Sequence, residues 1–371
     1  MKKLIFIISI LLIGLYGFAY IFSNHMLNSA LAKLQNIKEF KIDSVNKNSS
    51  ILSNSLNFRL QYKDFDLDID MSSSYNPLFI FNGFKINGDI KDLSQDSVNL
   101  AKFSLNIPLY GGKIHIQADI SPIQIIQHHS SIKFSNISIN SIMDSKKLYF
   151  IKANLDKAKF EFDNINVDMS GIFSEIEYID GVDFADFNPY ALNPSNLKLL
   201  IDNLSSNINF INLTSENIRL NSKINAYNLA DIFTDLTAKY IMVNGIAFDD
   251  ISSKIILKNI STSNYKNFII SKPEIVVDNL TIRDLLELKF DILIDNQSLK
   301  GLNLNGEFIA YKPISHIKGL EFISIYEKFL ISNGVLIQNG NGYVSKFKSN
   351  IQNSEIIFNN SVKFSDILSE F

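Results

Sequence analysis

Cysteine and tryptophan are both absent from the 371 residues. Without thiols the chain can hold no disulfide, no thiolate zinc site, no iron–sulfur cluster and no cysteine nucleophile. The absence leaves the compartment open, because a domain this large needs no disulfide staple and an oxidising space tolerates a cysteine-free chain. An excess of positive charge is lacking too. The 35 Lys and Arg stand against 38 Asp and Glu, for a net charge of -3 and a pI near 6.0. That balance removes the bulk basic footprint of a nucleic-acid binder. Catalytic signatures are also missing: there is no Gly-x-Ser-x-Gly elbow, no Walker A loop and no His-Glu-x-x-His.

What is present is apolar. Hydrophobic residues make up 46% and charged residues 20%, so the chain can bury a core and has the length of one large or two ordinary domains. Its most apolar stretch comes first. Lys2 and Lys3 precede an uncharged run from Leu4 to Phe22. At about 1.5 Å per residue this run nearly crosses a ~30 Å hydrocarbon layer. Leu4, Phe6, Leu11, Leu12 and Leu15 supply its lipid-facing bulk, Tyr16 and Tyr20 sit near the outer interface, and Phe22 closes it. The lysines keep the N-terminus in the cytoplasm and send the rest across. A cleaved signal peptide is the rival reading, with Gly17-Phe18-Ala19 as its small-x-small site. Beyond the run, Leu27, Ala30, Leu31, Leu34 and Ile37 follow helical spacing, which predicts a stalk continuing the membrane helix.

The body alternates. Leu56, Phe58, Leu60 and Tyr62, then Phe65, Leu67, Ile69 and Met71, change phase by one across Lys63-Asp64. A two-residue turn there pairs Tyr62 with Phe65 and Leu56 with Met71, and puts every apolar side chain on one face. A second hairpin repeats the pattern around Gly111-Gly112. Phe103, Leu105, Ile107 and Leu109 run in, and Ile114, Ile116, Ala118 and Ile120 run out. Turning on Gly-Gly sets 109 opposite 114 and 103 opposite 120. Fully burying one such side chain is worth ~1.5–3 kcal/mol, so this face needs cover from a second layer, a helix or acyl chains. Alternation recurs downstream through Ile132–Ile139, Leu148–Leu155, Phe160–Met169, Ile218–Ile224, Ile251–Leu257 and Leu299–Phe308.

Helices are fewer. The set Leu197, Leu200, Ile201, Leu204 and Ile208 after Asn193-Pro194 reads as one helix. Leu229, Ile232, Phe233, Leu236 and Tyr240 after Asn228 read as another, and Thr281 opens a shorter one. Ser365 to Phe371 reads as a final turn. The expected class is mainly β, a β-rich α+β chain. It is a large antiparallel sheet system of hairpins with a few short helices, preceded by one transmembrane helix. The expected segments are 1–22 for the cytoplasmic stub and anchor, 23–41 for the stalk, 42–185 for a first lobe and 186–371 for a second. The stretch with Gly181, Pro189 and Pro194 separates the lobes.

Candidate chemistry is thin. His128-His129 are adjacent, so on a strand they point to opposite faces and do not chelate together. Asp64, Asp66, Asp68 and Asp70 lie on the polar face of the first hairpin. They lack the glycine and distal glutamate of an EF-hand loop, and they read as a solvated strand face. Tyr311, Phe322, Tyr326 and Phe329 form an aromatic group without interleaved basic residues, which reads as core packing. No catalytic, metal or cofactor residue is assigned, and no cofactor is expected.

The order of parts resembles the YdgA-like family of bacterial single-span envelope proteins. The phrases that carry the likeness are Ile13-Gly14-Leu15-Tyr16-Gly17, the stalk through Leu34, Ser53-Asn54-Ser55-Leu56 and Asn225-Ala226-Tyr227-Asn228-Leu229. The closing Ile356-Ile357-Phe358-Asn359-Asn360 followed by Phe364-Ser365-Asp366-Ile367-Leu368 adds to it. The body is also similar to AsmA-type envelope proteins, which are linked to outer-membrane maintenance and lipid movement. The resemblance implies a single-pass protein of the inner membrane with its C-terminal body in the periplasm. From the residues themselves, one-face-apolar hairpins next to a span and no catalytic signature predict a non-enzymatic role, binding lipid or another hydrophobic partner on an apolar face. Two other readings stay open. One is an assembly scaffold with a closed β core and envelope-protein partners. The other is an envelope-polymer hydrolase using carboxylates such as Glu175, Asp183 or Asp186.

Overall fold

The computed structural model describes parts of 21–35 and residues 41–50, 53–62, 65–74, 83–93, 98–108, 112–127, 130–183, 191–226, 228–261, 272–294, 302–349 and 355–369. It is mainly β, with long antiparallel strands and few short helices. The chain forms two compact units, one of residues 1–123 with 134–154, the other of 124–133 with 155–371. All anchor residues from Leu4 to Phe22 named above lie outside the described residues. Among the described residues no helix is long and apolar enough to cross a membrane.

In the first unit, β1 (Lys41–Ser49), β2 (Ser53–Tyr62), β3 (Phe65–Ser74), β4 (Phe84–Asp92), β5 (Val98–Ile107) and β6 (Ile114–Ile120) form a meander. β9 (Ile137–Met143) then joins β6. The first hairpin has the expected register, Tyr62 opposite Phe65 and Leu56 opposite Met71. The second does not. Phe103 faces Ala118 and Ala101 faces Ile120, two residues from the Gly-Gly expectation. The strands stop at Ile107 and restart at Ile114, so the connection is longer than a two-residue turn. A slip of two preserves the face of every side chain, whereas a slip of one would have inverted it.

The apolar face of β2–β4 is sealed, and helical residues among 23–35 seal it. Leu27 and Leu31, one helical turn apart, are 3% and 5% exposed. They cluster with Leu56, Phe58, Leu60, Ile69, Met71, Phe84 and Ile86, and Phe58 is 0% exposed. Polar contacts fix the seat. Ser23 meets Ser73 through their hydroxyls, Asn54 Nδ2 donates to Ser23 Oγ at 3.1 Å, and Lys47 Nζ donates to Asn28 Oδ1 at 2.6 Å. Of the segment expected as a stalk, the described helical residues around Leu27 and Leu31 lie on the sheet. Leu27 and Leu31 bury an apolar stripe there that a free-standing stalk would leave in water.

The second unit holds the longest strands, 14 to 19 residues each between Ile165 and Ser261. β7 (Ile123–Gln127) and β8 (Ser130–Phe134) come first, and β8 pairs with β10 (Lys147–Phe162). β11 (Ile165–Asp183), β12 (Ser195–Ile208), β13 (Ile211–Ala226), β14 (Leu229–Val243) and β15 (Ile246–Ser261) then pair in sequence order, all antiparallel. β16 (Glu274–Ile282), β17 (Leu286–Ile294), β18 (Leu302–Ala310) and β20 (Gly342–Ser349) continue the sheet. β19 (Ile337–Asn339) and β21 (Ile356–Phe358) both add to β20, and β22 (Val362–Lys363) follows. The described helices here are α1 (Ser324–Ser332), α2 (Phe364–Ser369) and the single turns Ile314–His316 and Glu321–Ile323.

The two segments that read as helices, around Leu197–Ile208 and Leu229–Tyr240, are strands β12 and β14. Thr281 lies inside the end of β16, which closes at Ile282 before a turn. The cause is a fault line across the sheet. Ser170 pairs with Asn203 and Ile172 with Ile201, so Gly171 and Asp202 oppose each other between them. The register carries the row on through Asn217, Lys239 and Asp250. Gly171, Asn217 and Asp250, on alternate strands, have positive φ angles of 62°, 51° and 45°. A left-handed residue inside a strand takes up one position of the pleat and shifts the alternation by one. The burial pattern records the shift. In β12 the exposed positions are 196 and 198, then 202, 203, 205, 207 and 208. In β13 they are 211, 212, 216 and 217, then 219, 221 and 223. Apolar spacing that steps by two, then once by three, then by two again imitates a 3.6-residue period over a short window.

Candidate functional site

Because the fault line shifts all five strands together, one face of β11–β15 is apolar-rich on both sides of the row, with Ser174, Ser206, Ser215, Ser222, Thr234 and Ser253 interspersed on the same register lines. On the far side of the row it carries Ile172, Ile201, Ile218 and Ile251 in one register line, and Leu199, Leu220 and Leu236 in the next but one. On the near side it carries Met169, Leu204, Ile241 and Phe248, and then Val167, Leu213, Val243 and Ile246. The opposite face carries Glu175, Lys198, Asn221, Asp235 and Lys254 in a single line. Lys198 Nζ lies 3.2 Å from Glu175 Oε1 on that polar side.

Among the described residues this apolar-rich face is not fully covered. Ile172, Leu199, Ile201, Ile218, Leu220, Leu236 and Ile251 are all half-buried. The buried apolar residues of β11–β15 are Val182, Ala226, Ala230, Ala238 and Ile260, of which three are alanines. With strands ~4.8 Å apart and ~3.3 Å per residue, five strands of this length present a footprint of about 20 by 50 Å. Exposed apolar patches on ordinary monomers are roughly 300–600 Å². The site is therefore a long apolar-rich surface whose reverse side carries the charged line from Glu175 to Lys254.

The face expected to be functional lies elsewhere. Phe103, Leu105, Ile107, Ile114, Ile116 and Ile120 are half-buried on β5 and β6 of the first unit, and Leu109 is outside the described residues. Phe103, Leu105 and Ile107 pack against the sealed cluster beneath the helix. Sequence reading missed the larger surface on β11–β15 because the fault line broke its alternation. The signal that finds it is a simultaneous change of apolar parity in consecutive strands, with Gly or Asn at the change in Gly171 and Asn217.

The acidic row is occupied by neighbours. Asp66 pairs with Arg59, Asn57 Nδ2 donates to Asp68 at 3.0 Å and to Asp70 at 2.6 Å, and Lys91 Nζ is 3.3 Å from Asp70. Among the described residues no three His, Asp or Glu gather as a metal would need. His128, His129, Asp64 and Asp186 lie outside the described residues. The shifted carboxylates sit at structural contacts. The Tyr149 hydroxyl and the Lys146 and Lys147 amides hold Asp144 down at about 2. Lys159 and Ser131 hold Glu161 at about 2. The aromatic group expected in a core is largely outside it, with Tyr311, Phe322 and Tyr326 at 50%, 65% and 51% exposure. No protein-family model, curated protein or solved structure matches the chain.

Proposed function

We propose that this chain is a non-enzymatic, membrane-anchored envelope protein whose open apolar sheet face binds the acyl chains of lipid. The observation that carries the reading is the unsealed face of β11–β15, which keeps its apolar character through a row of left-handed residues. Three stacked positive-φ residues are a costly way to preserve a face, at ~1–3 kcal/mol each for the non-glycine ones. A merely structural sheet with both sides in water gains nothing from it. The uncharged run from Leu4 to Phe22 behind Lys2 and Lys3 supports a single-pass anchor in the inner membrane with the body in the periplasm. The resemblance to YdgA-like and AsmA-type envelope proteins points the same way.

Native mass spectrometry of the full chain, gently extracted from membranes, tests the reading. The wild-type chain is expected to retain phospholipid. A chain with Leu220→Glu and Leu236→Glu is expected to lose it while keeping its β circular dichroism, since both positions are half-buried and can hydrate. A bare wild-type chain that instead captures envelope proteins would return the scaffold reading.

A further inference from the structure

One end of the second unit gathers large apolar side chains in the open. Phe210, at the β12–β13 turn, is 93% exposed, flanked by Ile208 at 41% and Ile211 at 52%. The segment Asn207 to Leu213 contains no charged residue. The turns at this end are tied together. Asn209 N donates to Asn164 O at 3.0 Å, Asn244 N donates to Asn212 O at 2.8 Å, and Asn212 N donates to Asn244 Oδ1 at 2.7 Å. Ile246 follows that last turn, and a side chain built on Gly319 would reach it at 3.1 Å. The turn holding Gly319 leads into α1, whose approach carries Phe322 at 65% exposure, with Ile325 at 74% and Tyr326 at 51%.

The outward pose of α1 is built in. Its buried residue is a carboxylate, Glu327, at 4% exposure. Glu327 accepts the Ile314 amide at 2.5 Å and also the Ser315 amide and hydroxyl, which holds the Glu327 side of the helix inward. Ordinary amphipathic helices bury an apolar residue at such a position. Lys318 and Lys328 are exposed beside the apolar group, as cationic side chains are on helices seated at a headgroup layer.

We propose that this end of the second unit docks on a lipid bilayer, with Ile208, Phe210, Ile211, Phe322, Ile325 and Tyr326 entering the interface. The inference rests on the lipid-binding reading and extends it. The open face of β11–β15 runs out at these turns, so acyl chains can pass between that face and the bilayer without crossing water. The β12–β13 turn itself is uncharged, with exposed Asp163 lining the same hollow as Phe210 and Glu321 beside Phe322 left at the headgroup level, where Lys318 and Lys328 meet phosphates.

The absence of tryptophan makes the test direct, because Phe210→Trp and Phe322→Trp each create a single-tryptophan protein at an exposed position that leaves folding untouched. The full chain is reconstituted into vesicles of brominated phosphatidylcholine. Both variants are expected to emit to the blue and to lose most of their fluorescence to the bromines. Ile179→Trp, exposed at the opposite end of β11, is expected to stay red and bright. If either F210W or F322W behaves like I179W, or if I179W is quenched as strongly as they are, the docking surface is wrong. Leu220→Trp, midway along the open face, separates the two proposals. Quenched L220W with unquenched F210W keeps lipid on the face and removes the docking. Quenched F210W with unquenched L220W does the opposite.

Discussion

The two units carry the same device to different ends. In each, antiparallel strands turn one apolar face to the same side. In the first, helical residues among 23–35 lie on that face, and Leu56, Phe58, Phe84 and Ile86 fall to 2% exposure or less. In the second, the equivalent residues of β11–β15 stay half-buried, and the buried apolar positions are mostly alanines. Alternation makes a face, and a second element closes it. On β11–β15 no described element buries the face to the same degree.

The sharpest way to break this contrast is to cut the same bulk from both faces. Phe58→Ala, at a site with no exposure, is expected to cost ~3–5 kcal/mol. Leu236→Ala on the open face is expected to cost less than half of that, because water already reaches it. Hydrogen exchange of the β2–β4 and β13–β15 amides reads each unit separately, and equal losses would mean that the second face is sealed after all.

Next is the fault line that keeps the second face apolar. Gly171 has a φ of 62°, and a Cβ there would run into the Asp202 carboxylate. Gly171→Val is expected to cost ~1–3 kcal/mol, and Asn217→Gly, which relieves a left-handed asparagine, to be neutral or mildly stabilising. Thermal melts of the two variants decide the matter. A harmless G171V would show that the left-handed row is incidental.

A similar loss is expected on α1. Glu327→Ala leaves the Ile314 and Ser315 amides without their acceptor, for ~1–3 kcal/mol. Faster exchange should appear at residues 314–332 and not in β11–β13. Spread of the effect into those strands would mean that α1 braces the sheet.

The smallest effect belongs to the first unit. Asp144 is held at about 2, below its ordinary 3.8, by the Tyr149 hydroxyl and then by the Lys146 and Lys147 amides. A depressed folded pKa gives stabilisation that is present above the unfolded value and lost as pH falls through the folded one. Acidification from above 4 to below 2 should loosen the 144–147 turn, and Asp144→Asn should remove that dependence. The amide exchange of Lys146 and Lys147 follows both.

Legibility varied with how local the cause was. The first hairpin could be read to the residue, because the phase change across Lys63-Asp64 permits one register. The second was read to the correct face but two residues out, since the strand pairing ends short of the two-residue turn expected at Gly111-Gly112. β12 and β14 were misread as helices, because a one-residue shift inside a long strand is indistinguishable, in one dimension, from a turn of helix. The outward aromatics of α1 were misread as core. Nothing in Phe322 or Tyr326 themselves reveals that Glu327 holds the buried side.

The sequence by itself determined the β-rich class, the apolar faces and the absence of thiol chemistry, since each follows from residue type and a period of two. Only the tertiary structure decided which face is closed. Closure depends on where Leu27 and Leu31 land and on a row of residues that become neighbours only when five strands align.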